Sequence, residues 1–370
     1  MTHGQPQLKK MKNKPVSTLL AMTFMLMVTI STSAQEKLKV VVAGLSHDHA
    51  HVIMNDYKNG KVDIVAIAEE NQELVARYAK QYNVPKNIFY PTLKEALANT
   101  KPDAVLAYNA IVDHLAVAQV CTPMGIPLMV EKPLAISMDQ TREMEALSRK
   151  HNTPILTNYE TTWYGSLQTL KDKLDENPTA LKKMIARDGH EGPKEIGCSK
   201  EFLSWLTDPK KNGAGALNDF GCYGANIMTW LHKGKKPIAV TAMTHTLKPN
   251  VYPKVDDDAV IILEYEDGTG IIEASWNWSY SLKDFQVYGA DASYDAVDGK
   301  TLKYYPSHTQ PEDVALKETY YTNHVDYLKD YLDGKISGDN DLSSLENNLI
   351  VVEILTAAKK SAETGKRIKL

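Results

Sequence analysis

Hydrophobic and polar residues follow one spacing up to about residue 159 and another beyond it. In the first region, short apolar runs alternate with longer segments in which apolar residues recur every three or four positions. The runs predict strands at 39–44, 62–68, 89–90, 104–108, 126–130 and 154–158, and the longer segments predict helices at 48–58, 72–82, 112–124 and 137–149. This alternation, with strands that are apolar on both faces, predicts a doubly wound parallel sheet.

Beyond residue 159, longer strands follow one another without intervening helices. They are predicted at 238–246, 259–265, 271–278, 285–288 and 302–305, with helices at 216–231, 321–332 and 344–364. Asp267-Gly268 and Asp298-Gly299 are hairpin signals. The sequence therefore predicts an α/β protein with a doubly wound domain at 35–158, followed by an α+β domain with a mainly antiparallel open sheet at 159–370.

The first 34 residues do not fit this pattern. Four lysines between Lys9 and Lys14 precede an apolar run at 16–30, and small residues at 32–34 follow it. The run is short for a membrane span, so residues 1–34 are predicted to be a cleaved signal peptide. The expected location is the periplasm, with no membrane attachment after cleavage.

Composition and charge narrow the class of partner. Hydrophobic residues make up 43% of the chain and charged residues 24%, as in ordinary globular proteins. Without residues 1–34, the 42 basic residues fall to 38 against 46 acidic ones, a net charge of −8. Neither a nucleic acid nor an anionic membrane is an expected partner. Cys121, Cys198 and Cys222 have the spacing of neither a disulfide framework nor a metal site.

The first strand-to-helix turn carries a partial dinucleotide fingerprint. Gly44 opens it, whereas Ser46 and His49 stand where G-x-G-x-x-G has its other glycines. Glu69, at the end of the second strand, suits the carboxylate that accepts the ribose hydroxyls of NAD and repels the 2′-phosphate of NADP. The alternative for Glu69 is a solvated acid at the end of a strand.

Three histidines in this turn, His47, His49 and His51, raise the question of a metal. Side chains two residues apart diverge by about 200° on a helix. If the helix begins here, the three imidazoles do not share an ion easily, and no metal is predicted.

Glu131-Lys132-Pro133 comes directly after the fifth strand. Ligands of parallel sheets bind at the carboxyl ends of the strands, so Lys132 is a candidate site residue. The alternative is a surface ion pair.

A glycine-rich stretch opens the predicted helix at 216–231. Asp219, Tyr223, Asn226 and Trp230 are spaced to share one of its faces, which suits a helix that lines a cleft. An ordinary amphipathic helix is the alternative. His190, in a loop, is a second candidate acid or base, or simply a loop histidine. Trp276 and Trp278 share one face of a predicted strand, where they either stack on a sugar or belong to the core or an interface.

Taken together, Glu131-Lys132-Pro133, His114 and Gly213-x-Gly215-x3-Asp219-x-Gly221 resemble the Gfo/Idh/MocA oxidoreductases. The resemblance extends over nearly all of residues 38–370. It implies a Rossmann domain, a second domain whose open sheet forms a homodimer or homotetramer, and oxidation or reduction of a sugar or cyclitol hydroxyl with bound NAD(P). It places Lys132 near the nicotinamide and substrate, and gives Asp219 the place of the family's aspartate. The expected cofactor contacts are Gly44, Ser46, His47, His49, Glu69, Asn109, His114, Glu131 and Lys132.

Three residues depart from the family pattern. Tyr223 replaces the usual catalytic histidine, Asn226 a common aspartate, and Ala110 a proline. Catalysis is therefore expected from Lys132, Asp219 and either Tyr223 or His190. Since a tyrosine is a poor base unless a cation lowers its pKa, Lys132 is expected to lower the pKa of Tyr223.

The predicted function is an NAD-dependent oxidoreductase that acts on a hydroxyl of a small carbohydrate, glycoside or cyclitol. Export favours a cofactor that stays bound. Two alternatives stay open, a redox-neutral glycoside cleavage that uses bound NAD and a non-catalytic sugar- or partner-binding protein.

Overall fold

The computed structural model describes residues 1–2, 37–306, 310–318, 321, 323–339 and 341–370. The chain divides into two compact units, Met1–Glu36 and Lys37–Leu370. The predicted signal peptide, apart from its first two residues, lies outside the described residues. The second unit contains both predicted sheets.

The first sheet has six parallel strands in the order β3-β2-β1-β4-β5-β6. The strands are β1 (Lys39–Ala43), β2 (Asp63–Ala68), β3 (Phe89–Tyr90), β4 (Ala104–Ala107), β5 (Leu128–Glu131) and β6 (Ile155–Asn158). Val40 and Val42 of β1 pack on one face, and Val41 and Ala43 on the other. The predicted doubly wound sheet is confirmed, because every strand of this run is covered on both sides.

Five helices connect these strands. They are α1 (Ala50–Lys58), α2 (Gln72–Tyr82), α3 (Leu93–Asn99), α4 (His114–Cys121) and α5 (Met138–His151). The bounds of α2 are those predicted, since the Asn71 side chain accepts hydrogen bonds from two backbone N–H groups at its start and Asn83 ends it in the left-handed region. The helix α1 begins two residues later than predicted, and α3 was not predicted.

The second sheet has nine strands in the order β14-β13-β12-β11-β7-β10-β9-β8-β15. Their bounds are β7 (Leu181–Gly189), β8 (Ala239–His245), β9 (Asp258–Glu264), β10 (Thr269–Ser275), β11 (Leu282–Gly289), β12 (Ser293–Asp298), β13 (Thr301–Tyr305), β14 (Glu312–Asp313) and β15 (Ile368–Lys369). Only β7 and β10 pair in parallel. The predicted, mainly antiparallel sheet is confirmed.

In the described part of the chain, seven helices accompany this sheet. They are α6 (Gly165–Glu176), α7 (Lys200–Leu206), α8 (Pro209–Asn212), α9 (Ala216–Asp219), α10 (Gly221–Leu231), α11 (His324–Leu332) and α12 (Leu345–Thr364). The single helix predicted at 216–231 is in fact α9 and α10, which are separated at Phe220.

The polar face predicted for that helix is only partly right. Every residue of α10 is buried, because the helix packs against both the second sheet and α12. Asn226 donates to the Leu342 carbonyl at 2.8 Å, and the Trp230 ring lies under the Lys171 ammonium. Asp219 and Tyr223 alone of the four line a cavity.

Within the described residues, no helix combines the length and the apolar character needed to cross a bilayer. Cys121, Cys198 and Cys222 are free thiols. Cys121 and Cys222 are buried, and Cys198 is half-buried.

Candidate active site

Two cavities open where the carboxyl edge of the first sheet meets the second part of the chain. The first has a volume of about 550 Å³ and is bordered by Gly44, Ser46, Glu69 and Asn109. The second has a volume of about 480 Å³ and contains Lys132, Asp219, Tyr223 and His190. The sequence therefore predicted some of the residues that line each of the two cavities.

The first cavity has the features of a dinucleotide site. Gly44 has φ +82°, and a Cβ there would lie 2.8 Å from the Asn109 Cβ, so only glycine fits this turn. The Asn109 Oδ1 is buried and has no hydrogen-bond partner among the residues that the structure describes. Glu69 accepts from the backbone N–H groups of Leu45 and Asn71 at 2.8 and 2.9 Å and keeps lone pairs for a further donor. These residues fit the adenosine half of NAD, and an acid at Glu69 opposes a 2′-phosphate.

The segment 199–211, which we call the strap, crosses from the second part of the chain to this cavity. The Ser199 N–H donates to Asp48 at 2.9 Å, and the Trp205 indole donates to the Ser46 carbonyl at 3.1 Å. Its Glu201 pairs with Arg77 of α2 at 2.8 Å. The strap thus borders the cavity on the side opposite the sheet.

His47 and His49 do not diverge, and that part of the sequence prediction was wrong. The helix α1 begins only at Ala50, so the two rings lie 4.4 Å apart and both face Glu131. The His49 Nδ1 is 2.9 Å from a Glu131 oxygen, and the His47 Nε2 is 3.9 Å from the same oxygen. His51 points elsewhere, to the Tyr82 hydroxyl at 2.6 Å.

This cluster is an ion pair with a neutral second imidazole. The His47 Nδ1 accepts the His49 backbone N–H at 3.1 Å, so the His47 proton sits on Nε2, which leaves this tautomer no lone pair for a metal. Burial alone would raise the pKa of Glu131, but His49 and His47 hold it well below its usual range. Burial lowers the pKa of His49, and Glu131 more than reverses this effect.

Lys132 and Asp219 form a buried, hydrogen-bonded ion pair. The Lys132 Nζ donates to the Asp219 Oδ1 at 2.6 Å and to its carbonyl at 2.9 Å. The Trp276 indole donates to the other carboxylate oxygen at 3.0 Å. Burial opposes both charges, yet their mutual attraction raises the pKa of Lys132 and lowers that of Asp219. Both residues are therefore charged at neutral pH.

Tyr223 does not have the lowered pKa that the sequence predicted. The Lys132 Nζ is held by Asp219 and lies 5.0 Å from the centre of the Tyr223 ring, over its face. Burial, with the negative charge of Glu160, raises the pKa of Tyr223 well above its usual value. Tyr223 is therefore a neutral phenol, whose hydroxyl can donate a hydrogen bond to a ligand.

His190 is also a donor. Its Nδ1 accepts the Gly192 N–H at 2.8 Å, and its ring meets Phe220 edge-on at 4.9 Å. Burial lowers the pKa of His190, so the imidazole is neutral with its proton on Nε2. In this tautomer His190 has no free nitrogen with which to act as a base.

The second cavity also contains residues that the sequence did not single out as functional. Lys283 binds Glu160, and its Nζ lies 4.0 Å from the centre of the Tyr223 ring. Its cross-strand partner is Asp188. Glu160 follows the last strand of the parallel sheet, and the strand-end rule that indicated Lys132 would have indicated Glu160 as well.

Three predicted cofactor contacts line neither cavity. His47 and Glu131 lie behind His49, with Glu131 also accepting from the Asn158 side chain at 2.8 Å. The His114 Nδ1 is 3.0 Å from the Leu134 carbonyl, and burial lowers the pKa of His114 to about 4, so this neutral histidine holds the loop after Lys132. These three residues therefore support the site without lining either cavity.

Two family models match the chain over these same regions. Residues 38–159 match the model described as an oxidoreductase family with an NAD-binding Rossmann fold. Residues 184–295 match the C-terminal domain of the same family. The chain belongs to the Gfo/Idh/MocA oxidoreductase family.

Curated relatives include trans-1,2-dihydrobenzene-1,2-diol dehydrogenases. The Xenopus laevis protein is 27% identical over 202 residues, which are 55% of this chain and 57% of that protein. The mouse protein is 22% identical over 231 residues, which are 62% of this chain and 65% of that one. The match thus spans less than two thirds of the relatives' length.

Solved structures of this family share the fold. An aldose–aldose oxidoreductase from Caulobacter crescentus superposes with a TM-score of 0.76 at 19% identity, covering 90% of this chain and 100% of the other. An inositol dehydrogenase homologue from Azotobacter vinelandii in complex with NAD+ gives 0.77 at 15% identity, covering 91% and 98%. At such identities the likeness concerns the fold.

Proposed function

We propose that the protein is an NAD-dependent oxidoreductase that acts on a hydroxyl of a sugar, glycoside or cyclitol. The observation that carries this proposal is a buried Lys132–Asp219 ion pair, with neutral donors at Tyr223 and His190, in a cavity beside a dinucleotide cradle. The chemistry that bound NAD supplies is hydride acceptance and donation. The donors of the cavity orient a substrate oxygen and stabilise charge that develops on it.

The charges of the second cavity favour a neutral substrate. Three cations, Lys132, Lys283 and the protonated His49, face five acids, which are Asp48, Glu160, Asp188, Asp219 and Asp298. Each cation is already paired with an acid, so no positive charge is left for a carboxylate or phosphate of the substrate. Hydroxyl groups suit these donors and acceptors, and neutral polyols are expected to bind more tightly than uronic acids or sugar phosphates.

The proposed cofactor residues are those of the first cavity and its rim. Gly44 and Ser46 take the pyrophosphate side, Glu69 and Asn109 the adenosine side, and the protonated His49 lies between this turn and Lys132. His47, His114 and Glu131 support these residues without touching the cofactor. NADP is the less favoured cofactor, because Glu69 would meet its 2′-phosphate.

We also propose that NAD stays bound through the catalytic cycle. The strap lies across the cofactor cavity and is tied to the Rossmann part by Ser199, Glu201 and Trp205. Release would require these contacts to open. Mass spectrometry of protein from its native source, denatured after extensive washing, should find NAD(H) in stoichiometric amount. Finding none would contradict retention, and absence of NAD binding in calorimetry would favour a non-catalytic binding protein.

The strap can be tested by one substitution. Arg77→Ala removes its pair with Glu201 and should speed the loss of NAD during dialysis by up to about fivefold, since a partly exposed ion pair contributes at most about 1 kcal/mol. Arg142→Ala, which removes an exposed ion pair on α5, is the control and should retain NAD normally.

Redox-neutral glycoside cleavage is a second candidate. Oxidation followed by elimination at the neighbouring carbon needs proton transfers at more than one position, and this cavity holds two separate lysine–carboxylate pairs. Products that form from a glycoside without net reduction of nicotinamide would support this reaction. Stoichiometric accumulation of reduced nicotinamide would contradict it.

Export and assembly complete the proposal. Residues 1–34 would be removed on export to a bacterial periplasm, and N-terminal sequencing of the mature protein should then begin near Gln35. The outer face of the second sheet exposes Met243, Ile262 and Tyr288, each by more than 40%, and this apolar face suits a homodimer or homotetramer. Light scattering of wild-type and Met243→Glu protein tests it, because the substitution should shift the mass toward the monomer.

A further inference from the structure

We propose that Lys283 and Asp188 are the proton-transfer pair of the second cavity, with Lys283 touching the substrate hydroxyl and Asp188 storing the proton behind it. This inference rests on the proposed function and deepens it. It makes Lys283 a catalytic residue and Asp188 a positioning residue that acts through Lys283.

The geometry begins with the register of two strands. Antiparallel pairing of β7 and β11 places Asp188 directly opposite Lys283, so their side chains share the face that borders the cavity. The Lys283 Nζ is 3.5 Å from the Asp188 Oδ2 and 4.0 Å from the centre of the Tyr223 ring. The Lys283 side chain is 22% exposed, whereas both Asp188 oxygens are buried. Both residues line the cavity, and Lys283 is the more exposed of the two.

Asp188 is the one acid here whose hydrogen-bonding capacity is unused. Neither of its oxygens has a hydrogen-bond partner among the described residues. Both Asp219 oxygens are bonded, to Lys132 and Trp276, and one Glu160 oxygen accepts from both Lys283 and the Tyr164 hydroxyl. A buried carboxyl without donors is poorly stabilised as an anion and readily takes up a proton.

Three other polar groups of the cavity do not accept a proton at neutral pH. Lys132 is an ammonium that is held by Asp219. Tyr223 is a neutral phenol, and the free ring nitrogen of His190 already carries hydrogen. Oxidation of an alcohol releases the hydroxyl proton, so the cavity needs an acceptor. The Lys283–Asp188 pair suits this role, because Asp188 alone of the acids that line the cavity accepts no hydrogen bond within the described residues.

Charged groups from every neighbouring element act on Asp188. Burial has the largest effect, Lys283 of β11 and Lys132 after β5 favour the anion, and Glu160 after β6 and Asp219 of α9 oppose it. Together they raise the pKa of Asp188 to about 8. A proton acceptor works best when its pKa lies near the working pH, and this value meets that condition.

The step balances as follows. The substrate C–H bond gives its hydride, with both electrons, to the nicotinamide, and the O–H bond gives its proton to Lys283 as Lys283 passes one proton to Asp188. A C=O bond forms, the Asp188 carboxylate becomes a carboxylic acid, and Lys283 is again an ammonium. Reduction of a ketone runs the same transfers backwards.

Kinetics of the full chain with bound NAD test the pair, with D-glucose and myo-inositol as probe substrates. Wild-type oxidation should rise with pH through about 8, since only the Asp188 carboxylate accepts a proton. Asp188→Asn is isosteric and should lower kcat about 100-fold and abolish that rise, with NAD retention unchanged. Lys283→Met should abolish the rise as well. A kcat of Asp188→Asn within about threefold of wild type, with the rise intact, would overturn the proposal.

Asp295→Asn is the matched control. Asp295 is also a carboxyl whose pKa is raised by burial and which has one unpartnered oxygen, but it lies on β12 and borders neither cavity. Its substitution should leave kcat and the pH profile unchanged, and a loss as large as that of Asp188→Asn would overturn the assignment.

A readout without substrate separates this inference from the proposed function. Denaturant unfolding at pH 4 to 9 should show Asp188→Asn gaining stability relative to wild type as the pH rises to about 8, because the variant has no carboxyl to ionise. If the unfolding free energies of the two proteins change with pH in parallel, Asp188 is ionised throughout this range, and the proposed proton-transfer pair is overturned. If neither probe is oxidised by wild type, the proposed function fails for those sugars and the unfolding curves still decide the state of Asp188.

Discussion

Two lysine–carboxylate pairs share the second cavity, and they are in opposite states. In the first pair the Lys132 Nζ lies 2.6 Å from Asp219, whose second oxygen accepts from an indole. In the second pair the Lys283 Nζ lies 3.5 Å from Asp188, whose oxygens have no hydrogen bond within the described residues. The same residue types thus form a locked ion pair in one place and a protonatable pair in the other.

Burial acts on both carboxyls, and charge and hydrogen bonding together make the difference. Both carboxyls are buried and both face a lysine, yet the pKa of Asp219 is lowered and the pKa of Asp188 is raised to about 8. Donors that stabilise the anion are present at Asp219 and absent at Asp188. Environments that push the pKa values of two acids apart assign them different roles in catalysis. Here Asp219 fixes Lys132, and Asp188 exchanges a proton.

The largest effect is expected from breaking the locked pair. Lys132→Met leaves the charged Asp219 buried without its cation, which should cost about 3–5 kcal/mol of unfolding free energy at pH 7 and abolish turnover. Lys283→Met should cost less, about 1–3 kcal/mol, because Asp188 can be neutral. Urea unfolding of both variants measures the difference. Equal losses would contradict the contrast between the pairs.

Tyr223→Phe tests the donor that lies between the two lysines. Removing the hydroxyl takes away a hydrogen bond to the substrate oxygen but no charge, so kcat should fall by about 100-fold while stability and NAD retention stay close to wild type. Steady-state kinetics and NAD content are the measurements. Full activity of Tyr223→Phe would show that the Tyr223 hydroxyl has no role in catalysis.

Glu160→Gln should make the Lys283–Asp188 pair behave more like the Lys132–Asp219 pair. The Glu160 charge raises the pKa of Asp188, so its removal should lower that pKa. Lys283 would then be freer to bond Asp188, which acts in the same direction. The pH at which oxidation reaches half its maximum should shift to lower values, and a shift to higher pH would contradict this electrostatic account.

A smaller effect on activity is expected from Asp284→Asn. Asp284 follows Lys283 on β11, so it belongs to the next residue pair between β7 and β11. Arg187 and Asp284 form the adjacent cross-strand pair, bonded at 3.0 Å outside the cavity. The substitution should lower the unfolding free energy and leave the pH profile of turnover unchanged. A shifted profile would show that neighbouring residue pairs of β7 and β11, and not the Lys283–Asp188 pair alone, control the proton transfer.

Much of the first domain and part of the site follow from local sequence. The β-α alternation predicts the parallel sheet, and the strand-end position predicts Lys132. The error at His47 and His49 came from the start of one helix, which no capping side chain marks. Asn226 and Trp230 were misplaced because a helix buried on all sides has no face that spacing can assign.

The second pair was not predictable in this way. Asp188 and Lys283 lie far apart in the chain and meet only through the register of β7 on β11, which no local pattern encodes. The missing hydrogen bonds at Asp188 are likewise a property of the packed site. The sequence therefore indicated the Lys132–Asp219 pair, because both residues belong to sequence motifs. It did not indicate the Lys283–Asp188 pair, because only the pairing of two strands brings these residues together.

Infrared titration of the full chain, without substrate, tests the contrast most directly. Difference spectra against Asp188→Asn and Asp219→Asn identify the carboxyl band of each residue. A carboxylic-acid band for Asp188 should be present at pH 6 and disappear around pH 8, while Asp219 should show only carboxylate over the same range. If Asp188 is also a carboxylate at pH 6, the two pairs are in the same state and the account is contradicted.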